Sequence, residues 1–393
     1  MNVLFAGKNE FNPQIGGTER VSVTLAGQLQ QVGYGVFFIA LAKHPWSKPY
    51  SPVAEQIILP NEHDVCCEEN IRCFSNFVLE KKIDVILNQF GNLRDFSNLC
   101  MMVKQRTGIK LFSVLHIDPS YELKLYQADL SLLDCPSLLT RQVKFYLKKM
   151  FPFKLKRLMK DFSFLYHQLY MESDAVVLLS DRFKPVFQKM AGLTDISKLE
   201  AIGNPLSFRT TEETYQKEKQ ILWIGRFDLW HKRPERLVQI WSYLENRHPD
   251  WNVLFLGDGR CKPKVEHFVQ RLGLKNVHFG GFDDPMDAYR KSSILCMTST
   301  FEGLPMVLLE AMQFGAVPMA FSSFESVFDI INDGVTGYLV EPFDLKQYAS
   351  RLESIIMDEN RRETMAQNAK TYVTDKFDVH HITQKWISLF KKY

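Results

Sequence analysis

No stretch of this 393-residue sequence approaches the roughly 20 consecutive apolar residues of a membrane-spanning helix. The longest candidate, VGYGVFFIALA at residues 32–42, is about half that length, so no membrane span is expected. The opening MNVLFAGK has too short an apolar run for a signal-peptide core, and no basic segment stands ahead of it. Charge of one sign is lacking too. With 48 Lys and Arg against 45 Asp and Glu, a formal +3, the balance gives no argument for a nucleic-acid partner. Paired CxxC elements are absent. The 7 cysteines leave at least one unpaired. The tightest group, Cys66, Cys67 and Cys73 with His63 nearby, lacks the ligand spacing of a zinc site. Reduced structural thiols in a reducing cytoplasm are the expectation. Low-complexity tracts, short repeats and the GxGxxG dinucleotide fingerprint are missing as well.

What is present is enough apolar material for real cores, 46% hydrophobic against 24% charged, in a length that suits about two domains. Short apolar runs alternate with longer amphipathic ones, the pattern of a parallel sheet covered by helices. NVLFAG (2–7) reads as a buried strand. TERVSVTLAGQLQQVG (18–33) reads as a helix, because Val21, Leu25 and Leu29 recur four apart and Gly33 stops it. GVFFIALA, DVILNQ, KLFSVLH and AVVLLS continue the strand series. Across GNPLSFRTTEETYQKEK (203–219) the apolar signal vanishes, and a linker is expected there. QILWIGR (220–226), NVLFLGDG (252–259), VHFGGF (277–282), SILCMT (293–298) and AVPMAF (316–321) form a second series. The expected fold class is α/β, with two Rossmann-like domains facing a cleft. Ligands of such sheets bind at the carboxyl ends of strands.

Three loops carry candidate chemistry. GKNEFNPQIGGTE (7–19) joins strand to helix through Gly16 and Gly17. Adjacent glycines let backbone N–H groups approach a ligand, and the helix dipole favours an anion there. A long turn that uses glycine for its backbone freedom is the competing reading. ILWIGRFDLWHKRPERLV (221–238) places Arg226 just past a strand and Lys232 six residues on, with Pro234 suited to a first helical turn. A planar guanidinium fork and a point ammonium together suit a diphosphate. A solvated basic loop of His231, Lys232 and Arg233 is the alternative.

The third stretch, FEGLPMVLLEAMQFGAVPMA (301–320), sets Glu302 and Glu310 among apolar residues. Pro305 opens a helix expected to run to Gly315, leaving the amides of Gly303 and Leu304 free for a phosphate. Met306, Val307 and Gln313 give Glu310 no basic neighbour at helical spacing. It therefore needs an external hydroxyl or a distant base. Neither glutamate need be buried, and two solvent-facing acids on an ordinary helix are the alternative.

The E-x7-E element in FEGLPMVLLEAM, with GRF…HK ahead and DGVTGYLVEPFD (333–344) behind, resembles glycosyltransferase family four. These are retaining enzymes of GT-B architecture, two Rossmann-like domains. GGTE near the start and VLH in the first half extend the likeness over nearly the whole chain. The resemblance implies an acceptor-side domain over 1–203, a nucleotide-sugar domain over 204–375, and a helix over 376–393 packing back on the first domain.

It also implies roles. Arg226 and Lys232 would hold the donor diphosphate and stabilise the leaving group. Glu310 would accept hydrogen bonds from the ribose hydroxyls, and Glu302 would orient the transferred sugar. Gly303 and Leu304 would offer N–H groups to phosphate or sugar. Gly16 and Gly17 would approach the donor phosphate or the acceptor, His116 the sugar, and Phe282 the nucleobase. Glu302, His116, Arg226 and Lys232 would be the catalytic set.

Two features depart from the pattern. SSFES (322–326) stands where relatives often have a Gly-Gly-x-Pro-Glu turn. GDGRCKP (257–263) keeps the usual GDG but carries a Cys261 with no role to assign.

The implied reaction is front-face transfer, with retained configuration, of a hexosyl group from a nucleotide-sugar; retention by double displacement, with a carboxylate nucleophile beneath the sugar carbon, is the alternative. A UDP-sugar is the expected donor. The acceptor would be a glycan or lipid-linked molecule of cell-surface polysaccharide or lipopolysaccharide synthesis. No metal or other cofactor is expected, since Arg, Lys and a helix terminus carry the charge. DDPMD (283–287) reads as a helix-capping turn. A nucleotide-sugar epimerase of the same architecture and a non-catalytic sugar-nucleotide or glycan binder are the rival classes.

TRQVKFYLKKMFPFKLKRLMKDF (140–162) interleaves eight basic residues with aromatics. It suits the surface of an anionic bilayer at the inner face of a membrane, or solvated helices with an aromatic core face. Single-stranded nucleic acid would use similar residues, but the donor constellation argues against it.

Overall fold

The structure, a computed structural model, describes residues 1–44, 50–128, 131, 133, 152–208, 215–281 and 284–393. The chain forms two compact units. One comprises Met1–Ser120, Met159–Ser207 and Phe377–Tyr393; the other comprises Tyr121–Leu158 and Phe208–Lys376.

The first unit is built on a seven-stranded sheet: β1 (Asn2–Asn9), β2 (Gly35–Ala42), β3 (Glu55–Ile58), β4 (Val85–Asn88), β5 (Lys110–Leu115), β6 (Ala175–Leu178) and β7 (Leu199–Ala201). Its order is β3-β2-β1-β4-β5-β6-β7, and all pairs are parallel. All four residues of β4 and of β6 are buried. Strands covered on both faces read as unbroken apolar runs, which is why DVILNQ and AVVLLS stand out in the sequence.

The second sheet has six strands: β8 (Glu218–Ile224), β9 (Asn252–Leu256), β10 (Val277–Phe279), β11 (Ser292–Met297), β12 (Val317–Phe321) and β13 (Tyr338–Val340). They are parallel, in the order β10-β9-β8-β11-β12-β13. In both sheets the strand order reverses once, between β1 and β4 and between β8 and β11. Loops leaving the carboxyl ends of strands at such a reversal splay apart and open a crevice. The sequence pattern does not announce β3, β7 or β13. These are short strands at sheet edges that are only partly buried, so they lack the continuous apolar run of a strand covered on both faces.

The core of the first unit packs Phe5, Phe38, Phe112 and Val177 against Ile382, Trp386 and Phe390 of the helix Val379–Lys392. Asp378 starts that helix, its carboxylate accepting from the His380 and His381 amides at 2.8 and 3.2 Å. In the second unit, Trp223 and Phe255 of the sheet pack with Trp241 of the helix Pro234–Ser242. Among the described residues, no helix is long and apolar enough to cross a membrane.

Candidate active site

Arg226 leaves the carboxyl end of β8, and the GDG element after β9 shapes its loop. Gly257 (φ +127°) and Gly259 (φ +153°) occupy backbone conformations that side chains rarely adopt. A Cβ on Gly257 would sit 2.0 Å from the Gly225 carbonyl oxygen, and one on Gly259 2.6 Å from that of Phe227. That closeness lets the Gly225 amide bond Leu256 O at 3.0 Å and the Phe227 amide bond Asp258 O at 2.8 Å. Cys261 ends the same turn. Its amide donates to Phe227 O at 3.3 Å, and its side chain packs on the core.

Asp228 then folds the loop onto itself. Its Oδ1 accepts from the amides of Trp230, His231 and Lys232 at 3.1, 2.6 and 3.2 Å. Its Oδ2 lies 3.2 Å from Arg226 Nε. Burial would raise the Asp228 carboxyl, but the His231 amide, the His231 ring and Arg226 together hold it below the usual range. The Arg226 side chain remains 69% exposed.

The loop is not a solvated basic patch. Arg233, at φ 55°, is buried and pairs through Nε with Glu235 Oε1 at 2.8 Å. Glu235 also accepts from Ser131 Oγ at 2.9 Å.

Glu302 and Glu310 are both buried, at 6% and 2% exposure, so they are not two solvent-facing acids on an ordinary helix. Glu302 follows β11, and Lys232 Nζ donates to its Oε1 at 2.6 Å. His231 Nε2 is 3.3 Å from the other carboxylate oxygen. Burial would raise the Glu302 carboxyl, yet Lys232 and then His231 overrule it and hold the group well below the carboxylate range. The His231 ring stacks on Phe301 with centroids 4.5 Å apart and planes at 4°, which fixes the imidazole. The loops are also joined by backbone, since the Thr300 amide donates to His231 O at 2.7 Å.

Glu310 lies on the helix Met306–Gln313, which Pro305 opens. Among the described residues a phenol meets it: Tyr289 Oη donates to Glu310 Oε2 at 2.7 Å. At the helix entrance, the amides of Gly303 and Leu304 meet no acceptor among the described residues. The SSFES segment braces this entrance. Ser326 Oγ donates to the Gly303 carbonyl, and Ser323 Oγ to the Ser299 carbonyl at 3.1 Å. Serine hydroxyls here tie down a turn that glycines shape in the family pattern. Asp284 accepts from the Met286 amide at 3.1 Å ahead of the helix Met286–Lys291, a local turn bond.

In the first unit, Gly16 precedes and Gly17 begins the helix Gly17–Gln31 after β1. Gly16 is extended, at φ −170°, so a positive φ is not its reason. A Cβ there would approach the buried Glu19 carboxylate to 2.9 Å. His116 follows β5, and its Nε2 lies 2.7 Å from Gln89 Oε1 at the end of β4. Ser22 Oγ is 3.2 Å from the same amide oxygen. Gln89 thus ties helix, β4 and β5 together at the reversal of strand order. With an amide oxygen as partner, Nε2 carries the proton and Nδ1 the lone pair. Nδ1 is buried without a partner among the described residues, and burial pushes the ring down to about 4.

The structure therefore brings Arg226, Lys232, Glu302, Gly303, Leu304 and Glu310 onto neighbouring loops of the second unit, and Gly16, Gly17 and His116 onto loops of the first. Phe282 and residues 140–151 of the basic stretch lie outside the described residues. Sequence reasoning missed Asp228, the clamping role of His231, Tyr289 and Gln89. The first two stand inside the motif GRFDLWHK; the others carry no local pattern.

Residues 207–372 match the family model "Glycosyl transferases group 1". The chain is 29% identical over 234 residues to an α-1,4-N-acetyl-D-galactosaminyltransferase of Campylobacter jejuni named for an undecaprenol-linked GalNAc acceptor. That match spans 58% of this chain and 63% of the relative. An amylovoran biosynthesis glycosyltransferase of Erwinia amylovora is 24% identical over 94% of this chain and 95% of its own. Among solved structures, the Anabaena protein HepE in complex with UDP and glucose superposes with a TM-score of 0.75 at 16% identity, covering 100% of both chains. At that identity the likeness speaks for the fold: two parallel-sheet α/β domains of the kind found in GT-B glycosyltransferases.

Proposed function

We propose that the chain is a retaining glycosyltransferase of family four that moves a hexosyl group from a UDP-sugar to a glycan or lipid-linked acceptor in cell-surface polysaccharide or lipopolysaccharide synthesis. The observation that carries this reading is the Lys232–Glu302 pair at 2.6 Å, set beside the open amides of Gly303 and Leu304 and the exposed Arg226 guanidinium. All leave the carboxyl ends of β8 and β11, where the strand order reverses. Cations and N–H groups there suit a diphosphate, and a buried carboxylate held by the Lys232 ammonium beside the His231 ring suits sugar hydroxyls. The matched family and the UDP-bound structural neighbour support the same class.

In the proposed reaction the acceptor oxygen forms a bond to the anomeric carbon as the bond from that carbon to the diphosphate breaks. The diphosphate departs with the bonding pair, and its leaving oxygen takes the acceptor's proton. Arg226, Lys232 and the Gly303 and Leu304 amides meet the negative charge that grows on it. Glu302, ionised by its two partners, accepts from the sugar, and Glu310 from the ribose. His116 is neutral near pH 7 and presents an acceptor nitrogen at Nδ1. This charge set asks for no metal. Incubating the protein with UDP-, GDP- and ADP-sugars and candidate acceptors tests the reading. Glycosylated product with retained anomeric configuration is expected; epimerised donor without transfer would overturn it in favour of an epimerase.

The proposal places the protein peripherally at an anionic membrane surface. In support, the helix Pro152–Glu172 exposes Phe153 by 78%, Phe164 by 61% and Met171 by 58%. The same helix bears exposed Lys156, Arg157 and Lys160. Sedimentation with liposomes should require anionic lipid, and lipid-independent behaviour would reject this part.

A further inference from the structure

At the opposite, amino-terminal edge of the second sheet lies a cavity of about 570 Å³. The first residues of β8, Ser293 of β11, Phe314 and the helix Glu359–Phe377 enclose it. Lys217 lines it. Its ammonium donates to the Tyr289 carbonyl at 2.9 Å and has no carboxylate within ion-pair reach among the described residues. An ammonium has three donors, and among the described residues one of them is satisfied. The other charges on the wall are largely committed. Lys219 pairs with Asp250 at 2.7 Å, Arg362 with Glu359 at 3.4 Å, and Glu218 with Lys291 at 4.0 Å. Glu363 and Lys370 complete the charged lining.

We propose that this cavity is a second ligand site, which takes the dianionic oxyanion group of a phosphate ester or of free phosphate, with Lys217 as its cationic anchor. A half-buried cation with no carboxylate in ion-pair reach among the described residues favours an anionic ligand. Burial, with Lys370 adding to it, pushes the Lys217 ammonium down to about 7. An anion that favours the charged form therefore binds as the lysine takes up a proton. The site also touches the first one. Tyr289, whose carbonyl Lys217 holds, donates its hydroxyl to Glu310 at 2.7 Å. Its ring stacks on Phe314 of the cavity wall with centroids 5.9 Å apart and planes at 2°. Occupancy thus bears on Glu310 through one residue, a consequence that rests on the nucleotide role proposed above.

Sulfate, a dianion that does not itself titrate near neutrality, is the probe. In protein with isotope-labelled lysine, the Lys217 signal, identified by its loss in Lys217→Met, should titrate near pH 7. Saturating sulfate should move that midpoint up by about one unit, with affinity about fivefold tighter at pH 6 than at pH 8. A signal that sulfate moves no more than chloride at equal ionic strength would overturn the site. If sulfate binds, phosphate and a phosphate monoester in the same titration separate free anion from ester. Calorimetry with UDP then decides the coupling. Sulfate should change UDP affinity in the wild type and not in Lys217→Met; equal UDP affinity throughout sinks the coupling alone. Absence of any UDP binding counts against the proposed function, while the lysine signal still decides the cavity.

Discussion

Lys232 and Glu302, 70 residues apart in the chain, meet at 2.6 Å where little water reaches either. Removing one partner of a buried pair leaves a charge without compensation and costs about 3–5 kcal/mol. Lys232→Met should lower urea stability by an amount of that order, and transfer activity by at least about a hundredfold if the pair also meets the leaving group. Adding Glu302→Gln should restore much of the stability and none of the activity. Equal unfolding midpoints for wild type and Lys232→Met would show the pair to be energetically idle.

The same pair sets an acid limit. The Glu302 carboxyl lies below its ordinary 4.5 in the folded chain. Its contribution is therefore complete above that value and is lost as pH falls below it, because the unfolded chain then binds the extra proton. Stability of Glu302→Gln should fall less steeply than wild type below pH 4.5. Thermal melts across that range check it.

His116 gives a second window, at higher pH. Burial lowers its ring from 6.5 to about 4, so between these values the unfolded chain holds a proton that the folded one refuses. Stability should rise with pH through this interval, and His116→Asn should flatten the rise. The His116 ring resonance should show no midpoint near 6.5; a normal titration there would contradict the buried, neutral ring.

Glu310→Ala should weaken UDP binding by roughly 10- to 100-fold, the worth of one or two hydrogen bonds to a charged acceptor. Tyr289→Phe leaves the carboxylate in place and should cost stability of about 1–3 kcal/mol, with a smaller loss of affinity. Calorimetry separates the two, and unchanged UDP affinity in Glu310→Ala contradicts the ribose role.

Gly257→Ala sets a Cβ 2.0 Å from the Gly225 oxygen and should displace the Arg226 loop, at a cost above about 3 kcal/mol. Gly273→Ala is the control. Its φ is also positive, at +69°, but its surroundings are open within 4 Å, so only about 1–2 kcal/mol of backbone strain is expected. Similar losses in both variants would mean that conformation, not the close approach, makes Gly257 necessary.

Much of the fold was legible because central parallel strands are buried on both faces and so print continuous apolar runs. β4 and β11 show this, and the loops that carry Arg226 and Glu302 sit just past such runs. The short edge strands β7 and β13 print nothing comparable. At the site, local spacing identified Glu302, Glu310, Arg226 and Lys232 but misjudged their surroundings. The glutamates are buried because Lys232, His231 and Tyr289 reach them from 70, 71 and 21 residues away. Only the folded sheet brings those positions together. Asp228 hid in plain view, since an acid next to Arg226 reads as a surface ion pair until its three amide bonds are seen.

The helix Val379–Lys392 belongs to the first unit, and its Phe390 ring stacks on Phe112 of β5 with centroids 6.1 Å apart. During synthesis every residue of the second unit leaves the ribosome before this helix does. The unit that begins the chain is therefore without the Trp386 and Phe390 rings that cover Phe112 until the second unit has been made. Birth order and completion order are reversed.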